Sequence, residues 1–324
     1  MPFRKSGFPG SGSRTASSTH WTEMMTMNSP GCYLTVDLED YKQTTTLEMG
    51  VPQRTSPERT SHGVERILAA LAESSGDPNA TFFTTGQIAR DQSDLVADLS
   101  AMGHEIGCHA DLHEDVCDLD PSVFAAVLMR ARASITEACG KPPIGFRAPN
   151  FSIDETCPWA LQELASAGFL YDSSLVATGE RIAAEPFDTY RYGEDVIHEF
   201  PVYRQNLPGG VGVRVIGGTY LRLLPLPIIF RLMRDVQARG YPLIVYVHPS
   251  DLDDGFDPVR TSEMDGLDRV SRIKWAVRQR QWATGTDGAY WKLREILRVH
   301  PNIGPMGRHF DATAGSAHPM RRAG

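Results

Sequence analysis

The chain has 324 residues, 41% hydrophobic and 22% charged, enough to bury a sizeable core and unlike a disordered chain. Its formal net charge of −8 argues against a nucleic-acid partner held by a basic surface, and against tight adsorption to anionic lipid. No apolar run is long enough for a transmembrane helix. The five cysteines (Cys32, Cys108, Cys117, Cys139, Cys157) form no Cys-x-x-Cys pair, and the basic N-terminus has no apolar segment behind it. Reduced thiols, no secretory signal and a cytoplasmic protein are the expectations.

Residues 1–30 are rich in Gly, Ser, Thr and Pro and predict a disordered leader, as do residues 311–324 a disordered tail. Residues 32–36 form a short β-prone run ending in acids. Residues 63–73 carry Val64, Ile67, Leu68 and Leu71 at helical spacing. A strand at 80–84, a helix at 94–102 closed by Gly103 and a very short strand at 105–108 follow. The long helix at 121–139 starts with Asp120 as N-cap and Pro121 at the first helical position, and Gly140 closes it. Further strands are expected at 144–147, 196–202, 213–216 and 243–247, and helices at 158–167, 228–239 and 288–299. Residues 265–284 carry Arg269, Arg272, Lys274, Arg278, Arg280 and Trp275. They read as a solvated helix face, with anionic substrate or membrane as the other reading.

Strands alternating with helices predict a parallel α/β sheet or barrel, whose ligand site forms at the carboxyl ends of the strands. Those ends carry ionisable groups: Asp37, Glu39 and Asp40 after the first strand, and His109 and His113 after the third. Arg147-Ala148-Pro149 follows the fourth, and His248 follows the strand at 243–247. Asp37 and Glu39 are two apart and share a face of an extended strand. One carboxylate can bind a metal while the other takes a proton from water. His109 and His113, four apart, share one side if the segment makes a helical turn. Two imidazoles and a carboxylate suit zinc or a similar divalent ion. Arg147 can hold the second carboxylate ionised, and His248 can protonate a leaving group.

The runs LTVDLEDY, TFFTTGQIA, GHEIGCHADLH, GFRAPNFSI, YDSS, GGTYLRLLPLP and LIVYVHPSDLD together resemble the polysaccharide deacetylases of the NodB homology type, carbohydrate esterase family 4. The nearest branch is the one linked to exopolysaccharide loci. The resemblance implies an α/β fold, a deformed (β/α) barrel of about seven strands, over 31–254. A helical C-terminal extension, 255–310, packs on it. It implies a hydrolase acting on a non-peptide C–N bond, which removes N-acetyl groups from an amino sugar. One divalent ion serves it, zinc first, then cobalt, nickel or manganese. Asp37 matches the catalytic base, His109 and His113 the metal histidines, Arg147 the arginine that holds the base, and His248 the general acid. The metal carboxylate is Glu39 or Asp40; a D-x-E pattern favours Glu39. Ala110 stands where relatives carry a hydroxyl residue. Pro149, Asp172 and Tyr220 are expected on the substrate side, Asp172 also as the aspartate supporting the acid histidine. Tyr41, Phe151, Trp159 and Tyr220 are the rim aromatics, and Arg222 is a candidate for lining the groove.

The expected partner is an acetylated amino sugar or glycan, with association with the exopolysaccharide synthesis machinery and, for lipid-linked intermediates, a place at the inner membrane face. A small non-sugar amide and a non-catalytic carbohydrate-binding role are the competing readings. In the extension, Val270, Ile273, Trp275, Val277, Leu293, Ile296 and Leu297 are the positions expected to pack.

Overall fold

The computed structural model describes residues 31–206, 212–214 and 216–311; the expected leader, the expected tail apart from its first residue, and Gly209 and Gly210 lie outside them. The first half runs β1 (Tyr33–Leu38), α1 (Tyr41–Met49), α2 (Pro57–Ala72), β2 (Thr81–Thr84), α3 (Gly86–Asp91), α4 (Ser93–Ala101), β3 (Glu105–Cys108), α5 (Pro121–Cys139), β4 (Gly145–Phe146), α6 (Ala160–Ser166) and β5 (Tyr171–Asp172). The second half runs β6 (Val176–Ala177), β7 (Asp188–Tyr192), β8 (Asp195–Glu199), β9 (Val202–Asn206), β10 (Gly212–Arg214), α7 (Gly218–Leu223), α8 (Leu226–Ala238), β11 (Ile244–Val247), α9 (Pro249–Leu252), α10 (Arg269–Ala283), α11 (Thr286–Val299) and α12 (Arg308–Asp311).

Eight strands form one sheet in the order β11-β1-β2-β3-β4-β5-β8-β7. Every pairing is parallel except β7–β8. The sheet curls strongly. In a flat sheet β1 and β4 would stand roughly 14 Å apart, yet Arg147, just beyond β4, reaches Thr35 Oγ1 on β1 at 2.8 Å. The result is a deformed, open (β/α) barrel, with one more strand in its wall than the seven or so expected. The extra strand, β7, is polar and alternating (DTYRY) and is half-buried at most. Strands β10, β9 and β6 make a small separate sheet.

Helices cover the outside through a continuous apolar core that includes Leu34, Val36, Phe82, Ile106, Val245 and Val247. The barrel interior is aromatic: Tyr33, Phe83, Tyr171, Phe200 and Tyr246 pack with Phe310. Phe310 stacks on Tyr171 with centroids 5.6 Å apart, closing the end of the barrel where the strands start. The open end is therefore the one where the strands finish.

Among the described residues, segments beyond residue 254 contact this body. Leu293, Ile296 and Leu297 are buried in α11, which lies against α2, and Asn302 accepts from Leu34 N at 3.0 Å. Helix α10 departs from the expectation. Trp275 packs beside the Met49–Val51–Val259–Met264 cluster, but Val270, Ile273 and Val277 are 62, 56 and 54% exposed. The helix rests on the side that carries Gln279, and those three aliphatics occupy the opposite face.

The cysteines also depart from it. Cys117 and Cys157 form a disulfide, whereas Cys32, Cys108 and Cys139 are free. Spacing along the sequence could not reveal a bridge between residues 40 apart that the β3 and β4 loops bring together. The reduced-thiol argument for the cytoplasm is thereby lost, because disulfides belong to oxidising compartments.

Candidate active site

The groove at the open end has a volume of about 370 Å³ and is lined by Asp37, Glu39, His109, His113, Tyr220 and His248, among others. A larger hollow of about 950 Å³ between α5 and α6 has none of these groups.

Asp37 is the last inward residue of β1 and is 2% exposed. Its Oδ1 accepts from Arg147 Nη1 at 2.8 Å. Arg147 is fully buried; it also donates to Ser173 Oγ and the Ser173 carbonyl, and lies 4.3 Å from the Phe83 ring centre. Burial alone would raise the Asp37 pKa, but the guanidinium overrides it and holds the carboxyl below its usual range. Glu39, one strand-repeat further, faces the same groove.

His109 and His113 come together differently from the expected helical turn. No helix is present between them: Ala110 and His113 both have left-handed backbones, with φ of 61° and 66°. The loop is clamped from below by Asp111, which accepts from Arg90 and Arg130 at 2.7 and 3.0 Å. Gly86 permits that approach, since a Cβ there would meet Asp111 Oδ1 at 2.3 Å. The two imidazole centroids end 5.3 Å apart. His109 Nδ1 donates to the Arg147 carbonyl at 2.8 Å, which leaves Nε2 as the lone-pair nitrogen. Burial, partly opposed by Asp37, pulls the His109 pKa down to about 4, so the ring is neutral and available as a ligand. His113 Nε2 stands 3.0 Å from Glu39 Oε2, and its buried Nδ1 has no hydrogen-bond partner among the described residues. Although burial opposes charge on both groups, the pairing with His113 holds Glu39 well below the usual range, and Glu39 raises His113.

Two imidazoles, one with its tautomer fixed by a carbonyl and one with an orphaned ring nitrogen, plus an ionised carboxylate, fit a divalent cation by donor chemistry. Asp40 does not join them. It is the N-cap of α1, accepting from Lys42 N, Gln43 N and both Ser56 N and Oγ. Glu39 is the carboxylate on the groove. The closest-set groups of metal-capable side chains among the described residues lie elsewhere. One is the disulfide with Asp154, the other the trio of His62, buried Asp253 and exposed Asp254, bridged to Arg59 and Arg66.

His248 caps α9, and its Nε2 is 3.8 Å from Asp37 Oδ2 and 4.0 Å from Glu39 Oε1. Its Nδ1 donates to Asp251 Oδ2 at 2.8 Å. Burial works against its charge, yet Asp251 raises it to about 9. Asp251 Oδ1 in turn accepts from Arg222 Nε at 2.7 Å. Arg222 is 4% exposed and also donates to the carbonyls of Gln281, Trp282 and Thr284 at the end of α10. It therefore holds Asp251 in place at the edge of the groove.

The structure corrects the support of His248. Asp172 is fully buried away from the groove, where Ser174 Oγ donates to it at 2.5 Å, and beside Glu199. Asp251 has the place expected for it, and its signal was local: in His-Pro-Ser-Asp the acid falls three residues on and closes a capping box. Pro149 is likewise buried beneath the groove, whose wall comes from Asn150 and Phe151, both left-handed with φ of 55° and 57°. Tyr220 lines the groove and donates to the Gly212 carbonyl at 3.0 Å. Tyr41 and Phe151 line it too, while Trp159 packs on Phe124 instead.

Two family models match the chain, polysaccharide deacetylase over residues 42–170 and a domain of unknown function, DUF3473, over residues 176–296. Over residues 42–170 the chain is similar to the polysaccharide deacetylases. A peptidoglycan deacetylase-like protein of Gibberella zeae is 33% identical over 113 residues, 35% of this chain and 32% of that protein. A chitin deacetylase of Pestalotiopsis is 33% identical over 99 residues, 30% of this chain and 32% of that enzyme. The match thus spans about a third of the length of these relatives. A crystal structure assigned as a polysaccharide deacetylase of Mycobacterium smegmatis is 21% identical, with a TM-score of 0.46 over 82% of this chain and 94% of that one. The join between the two family models falls at β5, inside the barrel, so the DUF3473 region supplies His248, Asp251, Arg222 and α10.

Proposed function

We propose that this protein is a metal-dependent N-deacetylase that frees the amine of an acetylated amino sugar in exopolysaccharide or surface-glycan synthesis. The observation that carries the reading is the opposition of Asp37 and His248. An aspartate kept ionised by Arg147 and a histidine kept protonated by Asp251 stand 3.8 Å apart, beside His109, His113 and Glu39. This is the paired base and acid that amide hydrolysis needs.

His109, His113 and Glu39 would hold the divalent ion, zinc by the nitrogen-rich donor set, and that ion supplies Lewis acidity to the acetamide carbonyl and acidifies water. Asp37 accepts the proton of the attacking water. Arg147, braced by Thr35 and Ser173, keeps that carboxylate ionised and aimed. His248 passes its Nε2 proton to the departing nitrogen, and Asp251 steadies the imidazolium through Nδ1. The C–N bond breaks, and acetate and a free amine leave.

The aromatic lining, Tyr41, Phe151, Tyr220 and Trp282, supports a sugar over a small non-sugar amide, because ring faces of sugars stack on such walls. The full set of proton-handling groups favours an enzyme over a binding relative. The test is acetate release from free, nucleotide-linked, lipid-linked and polymeric N-acetylated sugars, with metal content measured on the same sample. Release from a sugar substrate at one bound ion per chain is expected. Release only from small amides, or none from metal-replete protein, would overturn the reading.

A further inference from the structure

Helix α10 sends two side chains into the groove, Arg278 and Trp282. The Arg278 guanidinium lies over both neighbouring indoles, 4.8 Å from the Trp282 centroid and 5.1 Å from that of Trp275. Such stacking fixes the plane of the fork and leaves its N–H edge free for a ligand. The wall continues with Tyr41, edge-on to Trp282 at 5.6 Å, and Phe256, 4.6 Å from Tyr41.

The charges nearest the reacting centre are already matched. Asp37 has Arg147, Glu39 has His113, and Asp251 has Arg222 and His248. Arg214, on the far wall, donates to the Asn150 carbonyl at 3.0 Å. Arg278 is exposed and, among the described residues, forms no salt bridge with a carboxylate. Glu48 is the acid whose field it feels across the groove. Glu48 is itself exposed and, among the described residues, forms no salt bridge with Arg278, so the guanidinium edge stays open to a ligand.

The position of Arg278 is also tied to the chemistry. Arg222 holds the last carbonyls of α10 with one arm of its guanidinium and Asp251 with Nε. The wall bearing Trp282 and Arg278 is therefore fixed in register with His248.

We propose that Arg278 is a specificity residue that binds an oxyanion on the acetylated sugar or on the unit next to it, so that the preferred substrate is an acidic sugar or glycan and not a neutral chitin-like one. This rests on the groove being a glycan site, as argued above. The anion is a carboxylate on a neighbouring sugar or a phosphate on the acetylated sugar itself; both present oxygens to the planar fork.

Binding measured by calorimetry on the full-length Asp37→Asn protein tests this without turnover. The probes are an N-acetylated hyaluronan tetrasaccharide, N-acetylchitotetraose, N-acetylglucosamine 1-phosphate and N-acetylglucosamine. We expect one charged probe to bind about tenfold more tightly than its neutral counterpart, as one charge-assisted pair provides. Which charged probe gains identifies the anion. In Arg278→Gln the charged-to-neutral ratio should fall to within twofold, and Arg278→Lys should restore part of it. Equal binding of charged and neutral probes, a ratio that survives Arg278→Gln, or no binding of any probe overturns the proposal. Acetate release from the neutral tetrasaccharide by the wild-type chain at the acidic one's rate would sink the preference while leaving the deacetylase reading intact. Selective binding without acetate release would do the reverse.

Discussion

The two walls of the groove handle protons with the same device and opposite results. On one side a buried guanidinium, Arg147, faces the aspartate proposed as the proton acceptor, and Asp37 stays ionised. On the other a buried guanidinium, Arg222, faces an aspartate one step removed, and it is His248 that stays charged. An arginine against an aspartate thus makes a base when the aspartate meets the substrate, and supports an acid when a histidine intervenes. The base arm is built across the sheet, from β1 to a residue past β4. The acid arm is built within one turn, from residue 248 to residue 251, and only its anchor is distant.

That contrast predicts where each arm breaks. Asp37→Asn should cut turnover by about two orders of magnitude or more with metal still bound; a rate within a few-fold of wild type would rule Asp37 out as the base. Arg147→Gln should strike stability as well as activity, because it takes the hydrogen-bonded guanidinium from buried Asp37 and leaves only the part-exposed His248 as a nearby cation. A cost of about 3–5 kcal/mol is expected by chemical denaturation. The acid arm should be more forgiving, since His248 is not fully enclosed: its side chain is 27% exposed. Glu39→Ala and Asp40→Ala separate ligand from cap. The first should lose stoichiometric metal with its fold kept. The second should keep metal and lose about 1 kcal/mol of stability, the worth of an N-cap. Metal loss in Asp40→Ala alone would reverse the two roles.

The difference also marks what the sequence disclosed. The acids, histidines and arginine of the groove were legible because each follows a strand, and parallel strands present their ends on one rim. The path between them was less so. His109 and His113 meet through left-handed backbones at Ala110 and His113, which no composition rule assigns to residues other than glycine and a few polar types. Asp251 was readable from its spacing to His248, yet Asp172 drew attention as the acid after another strand. Arg222 was visible as a groove candidate, but its grip on residues 281–284 depends on tertiary contacts that leave no periodic trace. The exposed faces of Val270, Ile273 and Val277 show the same limit, since helical spacing identifies a stripe without saying which side is covered.

The most direct test of the two-arm account is the pH–rate profile of acetate release by wild type and Asp251→Asn. His248 must carry its proton, so activity falls as pH rises through its pKa. Removing the Asp251 charge lowers that pKa, and the basic limb should move to lower pH. Asp37 must be ionised, and its partner Arg147 is untouched, so the acidic limb should stay in place. Because the groups are coupled, the limbs report the site as a whole. A shifted basic limb with a fixed acidic limb is the result the account predicts. A basic limb that stays where it is in Asp251→Asn, with turnover otherwise intact, would contradict it.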